Sequence, residues 1–240
     1  MQFLQFILDH KTLVDALTLL VATLGGIIAY FTYLGSEKWK KAEFLASQMK
    51  EFFADGRVQA TMVMIDWGAR RIRLPSPDSP DGAVVPVNRS LQAKALRPHN
   101  ILGDGFTEAD LIEQPNGEFI QRFSDPEVAI RDCYSRFLDG LETFANYVKS
   151  DLCAVKALKP FLGYWIREMQ SPEAGSAESA WKASLLSFIN FYRYDGVKSL
   201  FKAFGYNIEP SGGIYRRFLA QMEDKAFAAA LAKAVGIDFP

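Results

Sequence analysis

Histidine and cysteine are scarce in this chain. Only His10, His99, Cys133 and Cys153 occur in 240 residues. Four such residues scattered along the sequence make neither a metal-ligand spacing nor a disulfide framework. Cys133 and Cys153 are therefore expected to be free, buried thiols in a reducing compartment. His99 stands in a Pro-His-Asn stretch, where a lone histidine is expected to be solvated. No HExxH, CxxC, GxGxxG or GxxxxGK[ST] string occurs. The pair Gly212-Gly213 lacks both a preceding strand and a following lysine, which argues against a phosphate loop. Net charge is −1, so no global basic excess calls for nucleic acid. The sequence assigns no catalytic, cofactor-binding or metal-binding residue, and a non-enzymatic protein without a cofactor is expected.

A second absence is more informative. Ala16 to Ser36 carries no charged side chain, and from Ala16 to Leu34 the run ALTLLVATLGGIIAYFTYL is almost wholly apolar. About 20 helical residues cross the ~30 Å hydrocarbon core of a bilayer. A buried core helix would be shorter or would carry a polar stripe. A signal peptide would have a basic start and a small-residue cleavage site, whereas this run ends in Tyr30, Phe31, Tyr33 and Leu34. Residues 16–36 are therefore expected to be an uncleaved transmembrane helix. Lys38, Lys40 and Lys41 follow it, with Trp39 among them, and only Lys11 precedes it. The positive-inside rule then places residues 1–15 outside and the rest in the cytoplasm, with Lys38, Trp39, Lys40 and Lys41 at the lipid headgroups.

One side of the predicted span is small. Thr18, Ala22, Gly26 and Ala29 recur at spacings of 4, 4 and 3, with Gly25 beside them. Small residues let helix backbones approach closely in lipid, so this face is expected to drive self-association. Basic clusters elsewhere are local. Arg70, Arg71 and Arg73 form one, Arg216 and Arg217 another, and Lys156 and Lys159 a third. Each can meet anionic lipid or RNA phosphate, against the plainer reading of a solvated surface.

The remainder reads as helical. Residues 36–53 and 57–67 form two helices broken at Ala54-Asp55-Gly56, the second burying Val58, Met62 and Ile65. The first has no forced break at Gly35-Ser36 and can continue the span. A small β-hairpin is expected near 71–87, with Pro75, Pro77, Pro80 and Gly82 in a long tip. A helix near 89–96 follows, then a Gly-, Asn- and Asp-rich stretch with a helical turn at 107–113. Ser124-Asp125-Pro126-Glu127 carries a capping-box signature. Ile130, Tyr134, Phe137, Leu141, Phe144 and Val148 then form a heptad seam, the core of a bundle. Further helices are expected from Asp151 to Gln170, after a linker at 171–178 around Trp181 to Tyr192, from an Asp195 cap to Gly205, and at 214–222 and 224–235. The fold class is thus all-α, with one N-terminal transmembrane helix and a multi-helix cytoplasmic bundle. Its divisions are 1–15, 16–36, a membrane-proximal hairpin and loop-rich region at 37–123, and a helical bundle at 124–240.

The segment Lys38–Trp67, with Trp39, Ala42-Glu43-Phe44, Phe52-Phe53 and Asp66-Trp67, and the run Phe161–Ile166 carry a resemblance. They are similar to uncharacterised bacterial single-pass membrane proteins with an all-helical cytoplasmic domain, and loosely to membrane-anchored accessory proteins of RNA-targeting CRISPR systems. The resemblance implies an inner-membrane location, association in the membrane and a part in phage defence. It also implies a degenerate HEPN ribonuclease bundle, whose pattern is an arginine followed four to six residues later by a histidine. Here Arg89 lies ten positions before His99 and Arg97 two, so no catalytic residue carries over. The expected function is self-association that perturbs or permeabilises the membrane, or else a membrane-tethered binding module. The expected partners are the lipid bilayer, further copies of this chain, and a cytoplasmic protein or RNA.

Overall fold

In a computed structural model the described residues are 2–76, 79–99, 111–113, 119–170, 176–206, 225 and 229. The apolar run lies within one helix, α1 (Gln2–Ala54), which continues without interruption through Gly35-Ser36. Asp55 then stops α1 and starts α2 (Gly56–Asp66): its extended backbone breaks the turn, and its carboxylate accepts the Arg57 amide at 2.9 Å. Within α2 the core residues are Val58, Met64 and Ile65. Met64 occupies the buried position expected for Met62, which is only half-buried.

The expected hairpin forms, with more strand and less tip. Strands β1 (Ala69–Ser76) and β2 (Ser79–Asn88) pair antiparallel, with Arg71 opposite Pro86 and Arg73 opposite Val84. The prolines at 75 and 80 lie in strand because a two-stranded ribbon has only edges, where a missing amide proton is tolerated. Gly82 has φ 67°, and a Cβ there would meet the Leu74 carbonyl oxygen at 2.5 Å. Alternation buries Ile72 and Leu74 and leaves Arg71 and Arg73 outward. Helix α3 (Arg89–Ala95) follows, capped by the Asn88 side chain on the Leu91 amide at 2.8 Å. In place of the helical turn expected at 107–113, residues Leu111–Glu113 form β3, paired antiparallel with β4 (Phe119–Gln121). Residues 107–110 lie outside the described set.

Helix α4 (Asp125–Lys149) starts where Ser124 predicts. The Ser124 amide and hydroxyl both donate to Glu127 Oε2, at 2.8 and 3.0 Å. Its heptad seam is the spine of the core: Ile130, Tyr134, Phe137 and Leu141 are fully buried, and Phe144 nearly so. Each contributes about 1.5–3 kcal/mol in apolar burial. Phe52 packs against Phe137 and Phe144, with ring centroids 5.6 and 5.3 Å away, beside Gly140.

Asp151 ends α4 instead of starting the next helix. It adopts the left-handed conformation at φ 56°, and the Leu152 and Cys153 amides fold back onto the Tyr147 carbonyl. Helix α5 accordingly begins later, at Val155, and runs to Gln170 with Pro160 inside it. Helix α6 (Ser176–Phe191) begins before the expected linker ends. Helix α7 (Asp195–Phe204) closes on left-handed Gly205. Its first turn is not capped by Asp195 itself. Glu142 of α4 accepts the Gly196 and Val197 amides at 3.0 and 3.1 Å, so a tertiary carboxylate replaces the local cap.

The described chain is mostly helical, with seven helices among the described residues. It divides into two units, Met1–Gln48 and Met49–Pro240. In the second unit α4 is central, touching α2, α3, α7 and β1, and α6 lies on α3. The turn at 210–213 and the helix at 214–222 lie outside the described residues. Of 224–235, only Lys225 and Ala229 are described, and both are helical.

Candidate functional site

α1 carries the first candidate site. Among the described residues Leu17, Leu19, Leu20, Val21, Leu24, Ile27, Ile28, Tyr30, Phe31 and Tyr33 are all exposed. One helix of this length and apolarity, near the N-terminus, is long enough to cross a membrane, and none of its most apolar window is buried. The threonine side chains on this stretch are satisfied within it. Thr18, Thr23 and Thr32 donate to the carbonyls four residues earlier, at 2.8, 2.7 and 2.9 Å. That geometry hides a hydroxyl from an apolar solvent.

Thr18 and Ala22, with Val14, Leu17 and Val21, line a shallow apolar hollow on the helix surface. Gly25 and Gly26 have nothing near where a Cβ would stand. Beyond the run, Lys38, Trp39, Lys40 and Lys41 are all exposed, and Lys40 lies 3.5 Å from Glu37.

The second unit holds a buried arginine network that spacing in the sequence does not reveal. Arg89 stacks 3.8 Å above the Trp181 ring and donates to the last carbonyls of α2, Met64 and Ile65. Beside it, Trp181 Nε1 donates to the Tyr134 hydroxyl at 3.0 Å, which donates to Gln92 Oε1 at 2.9 Å. Gln92 Nε2 has no partner among the described residues.

A second group gathers around Phe123, whose ring lies 4.3 Å from the Arg97 guanidinium and 4.2 Å from that of Arg131. Arg97 pairs with Glu127 at 2.9 Å. Burial works against the charge on Glu127, but the Ser124 amide and Arg97 outweigh it and hold the carboxyl below its ordinary 4.5. Arg131 donates to the Ala95 and Arg97 carbonyls and to the Tyr192 hydroxyl, each at 2.7 Å. Burial lowers its pKa.

The structure corrects the expectation for His99. Its ring is half-buried, 2.9 Å from the Tyr192 hydroxyl through Nδ1 and edge-on to Phe191 at 5.1 Å. Arg131 can only donate, so the Tyr192 proton is free to point at His99 Nδ1. These arginines hold carbonyls at the ends of α2 and α3, so the arrangement orients segments.

Of the sequence-predicted basic residues, Arg70, Arg71 and Arg73 are exposed on the hairpin, and Arg70 lies 5.0 Å over the Trp67 ring. Arg216 and Arg217 lie outside the described residues. Cys133 and Cys153 are free and buried, and burial pushes the Cys133 thiol up to about 12. Among the described residues no group of three or more His, Cys, Asp or Glu side chains is placed to hold a metal ion. No family model matches this chain, and no match was found among curated proteins or solved structures.

Proposed function

We propose that this is a single-pass membrane protein that self-associates through its span. In this reading α1 crosses the bilayer with its N-terminus outside, Lys38, Lys40 and Lys41 hold the cytoplasmic end, and the helical body lies in the cytoplasm. The assembled form perturbs the membrane; the chain performs no chemistry. The observation that carries the reading is the bare apolar surface from Leu17 to Leu34, whose threonine hydroxyls are satisfied by their own helix. Lipid is the solvent that suits such a surface. Association is supported by the Thr18, Ala22, Gly25, Gly26 and Ala29 face.

The test is extraction and size. The expressed chain is expected to resist alkaline extraction from membranes and to run in mild detergent as a multiple of the protomer. Gly26→Leu with Ala22→Leu is expected to reduce it to one copy and to abolish any loss of membrane potential on expression. A chain released by alkali overturns the anchor. A monomer in detergent that leaves the potential unchanged overturns the assembly.

A further inference from the structure

β1 and β2 form a ribbon of two strands, so each strand has an inner edge bonded to the other and an outer edge. β1 is held to the body: it packs against α2 and α4, and Cys133 Sγ of α4 lies 4.0 Å from the Pro75 carbonyl oxygen. β2 is the open strand, with Ala83, Val84, Pro86 and Asn88 exposed, Val84 at 52%. An outer strand with exposed backbone is a template for another strand. The composition of β2 sharpens that hazard. Ala83-Val84-Val85-Pro86-Val87 is uncharged, and three of its five residues are valine. Without the proline it is the kind of run that pairs with its own copy.

Register shows what Pro86 does there. Facing residues of an antiparallel pair alternate between pairs that exchange two hydrogen bonds and pairs that exchange none. Pro86 faces Arg71 and has no amide proton, so it belongs to a pair that exchanges none, and its backbone points away from β1. Val84, facing Arg73, falls in the same series. The outer edge of β2 therefore offers the Val84 amide and carbonyl and the Pro86 carbonyl. At residue 86 a pyrrolidine ring stands where a donor would be. We propose that Pro86 guards this edge: it keeps β2 of one copy from adding antiparallel to β2 of another. The two edges are identical, which is what a two-fold contact requires, and neither carries a charge from Ala83 to Val87 to oppose the other. The guard leaves assembly to other surfaces of the chain, and it acts whether or not α1 lies in lipid.

The test is hydrogen exchange read by mass spectrometry on the full chain in mild detergent, with peptides covering residues 83–88. In the unaltered chain, exchange there is expected to be the same at every protein concentration. In Pro86→Val it is expected to slow on the order of five-fold as concentration rises, the worth of one added hydrogen bond. Adding Val84→Pro to that variant is expected to restore the original rate. Val84→Pro alone is expected to leave the thermal unfolding of the body unchanged, because the amide that it removes points outward. Exchange in Pro86→Val that ignores concentration overturns the guard, as does protection that Val84→Pro does not remove. A lower unfolding temperature in Val84→Pro means that the series containing Val84 and Pro86 points toward β1, and it overturns the guard as well.

Discussion

α1 and α6 are both rich in apolar side chains, yet they meet different surroundings. From Trp181 to Ile189 every residue of α6 is buried, including Lys182, Ser184 and Ser187. From Leu17 to Leu34 every described residue of α1 is exposed. The polar groups distinguish the two. Protein offers partners at fixed places, so α6 can carry an indole N–H that reaches Tyr134 and a lysine buried at 3% exposure. The apolar run of α1 carries no charge, and its threonines bond only to their own helix. Apolarity alone does not separate a buried helix from an exposed one. Charge does here: α6 buries Lys182, whereas the apolar run of α1 has no charged side chain.

The sharpest way to break this comparison is to put the same change in both helices. Leu20→Lys with Ile27→Lys in α1 is expected to cost about 2.5–3.5 kcal/mol per lysine on insertion. The chain should become extractable by alkali while the thermal unfolding of the body is unchanged. Leu186→Lys in α6 should do the reverse, since an unpaired ammonium there has no solvent. The body should lose its cooperative unfolding while the chain stays in the membrane fraction. If both variants fail in the same way, the two helices share one environment.

A smaller effect is expected from Trp181→Ala, about 3–5 kcal/mol read as a lower urea midpoint by far-ultraviolet circular dichroism in micelles. It empties the largest fully buried side chain and strips Arg89 and Tyr134 of their common neighbour. A pair of glycines extends the contrast. A Cβ at Gly140 would lie 2.2 Å from a ring carbon of Phe52, whereas at Gly25 it would meet nothing within 4 Å. Gly140→Ala is expected to cost about 1–3 kcal/mol by overpacking. Gly25→Ala should be neutral or gain up to about 1 kcal/mol of helix propensity. Equal midpoints for the two variants would mean that Phe52 is not held as described.

Much of this architecture was legible in the residues, because its signals are local. The capping serine at 124, the heptad seam of α4 and the uncharged run of α1 each depend on a few neighbours. The hairpin was visible too, though its prolines hid how far the strands reach. What escaped depends on partners distant in sequence. Nothing near Glu142 announces that its carboxylate caps α7, 54 positions away. Asp151 looked like a helix start because aspartate favours caps, yet its left-handed backbone closes α4. His99 looked solvated because its partner Tyr192 lies 93 positions away. Of the candidate sites, the long apolar run of α1 was legible from composition. The Arg89 and Arg131 networks were not, since an arginine that holds helix-end carbonyls has no motif.

Acid gives the mildest separation of the two regions. Asp55 and Glu127 both lie in the body. Burial opposes the charge on Asp55, but the Arg136 hydrogen bond at 2.7 Å and the Arg57 amide win, and its carboxyl sits below its ordinary 3.8. Glu127 sits below its ordinary 4.5 through the Ser124 amide and Arg97. A carboxylate held below its unfolded value stabilises the fold above that value and loses its contribution as pH falls through the folded one. The body should therefore hold a constant melting temperature as pH falls toward 4.5 and lose stability first through Glu127 and then through Asp55. Glu127→Gln should flatten the upper part of that decline. Residues 16–36 contain no carboxylate, so membrane retention should not change over the same range. Release of the chain from vesicles in step with the melting of the body would tie the two regions together and remove the distinction between them.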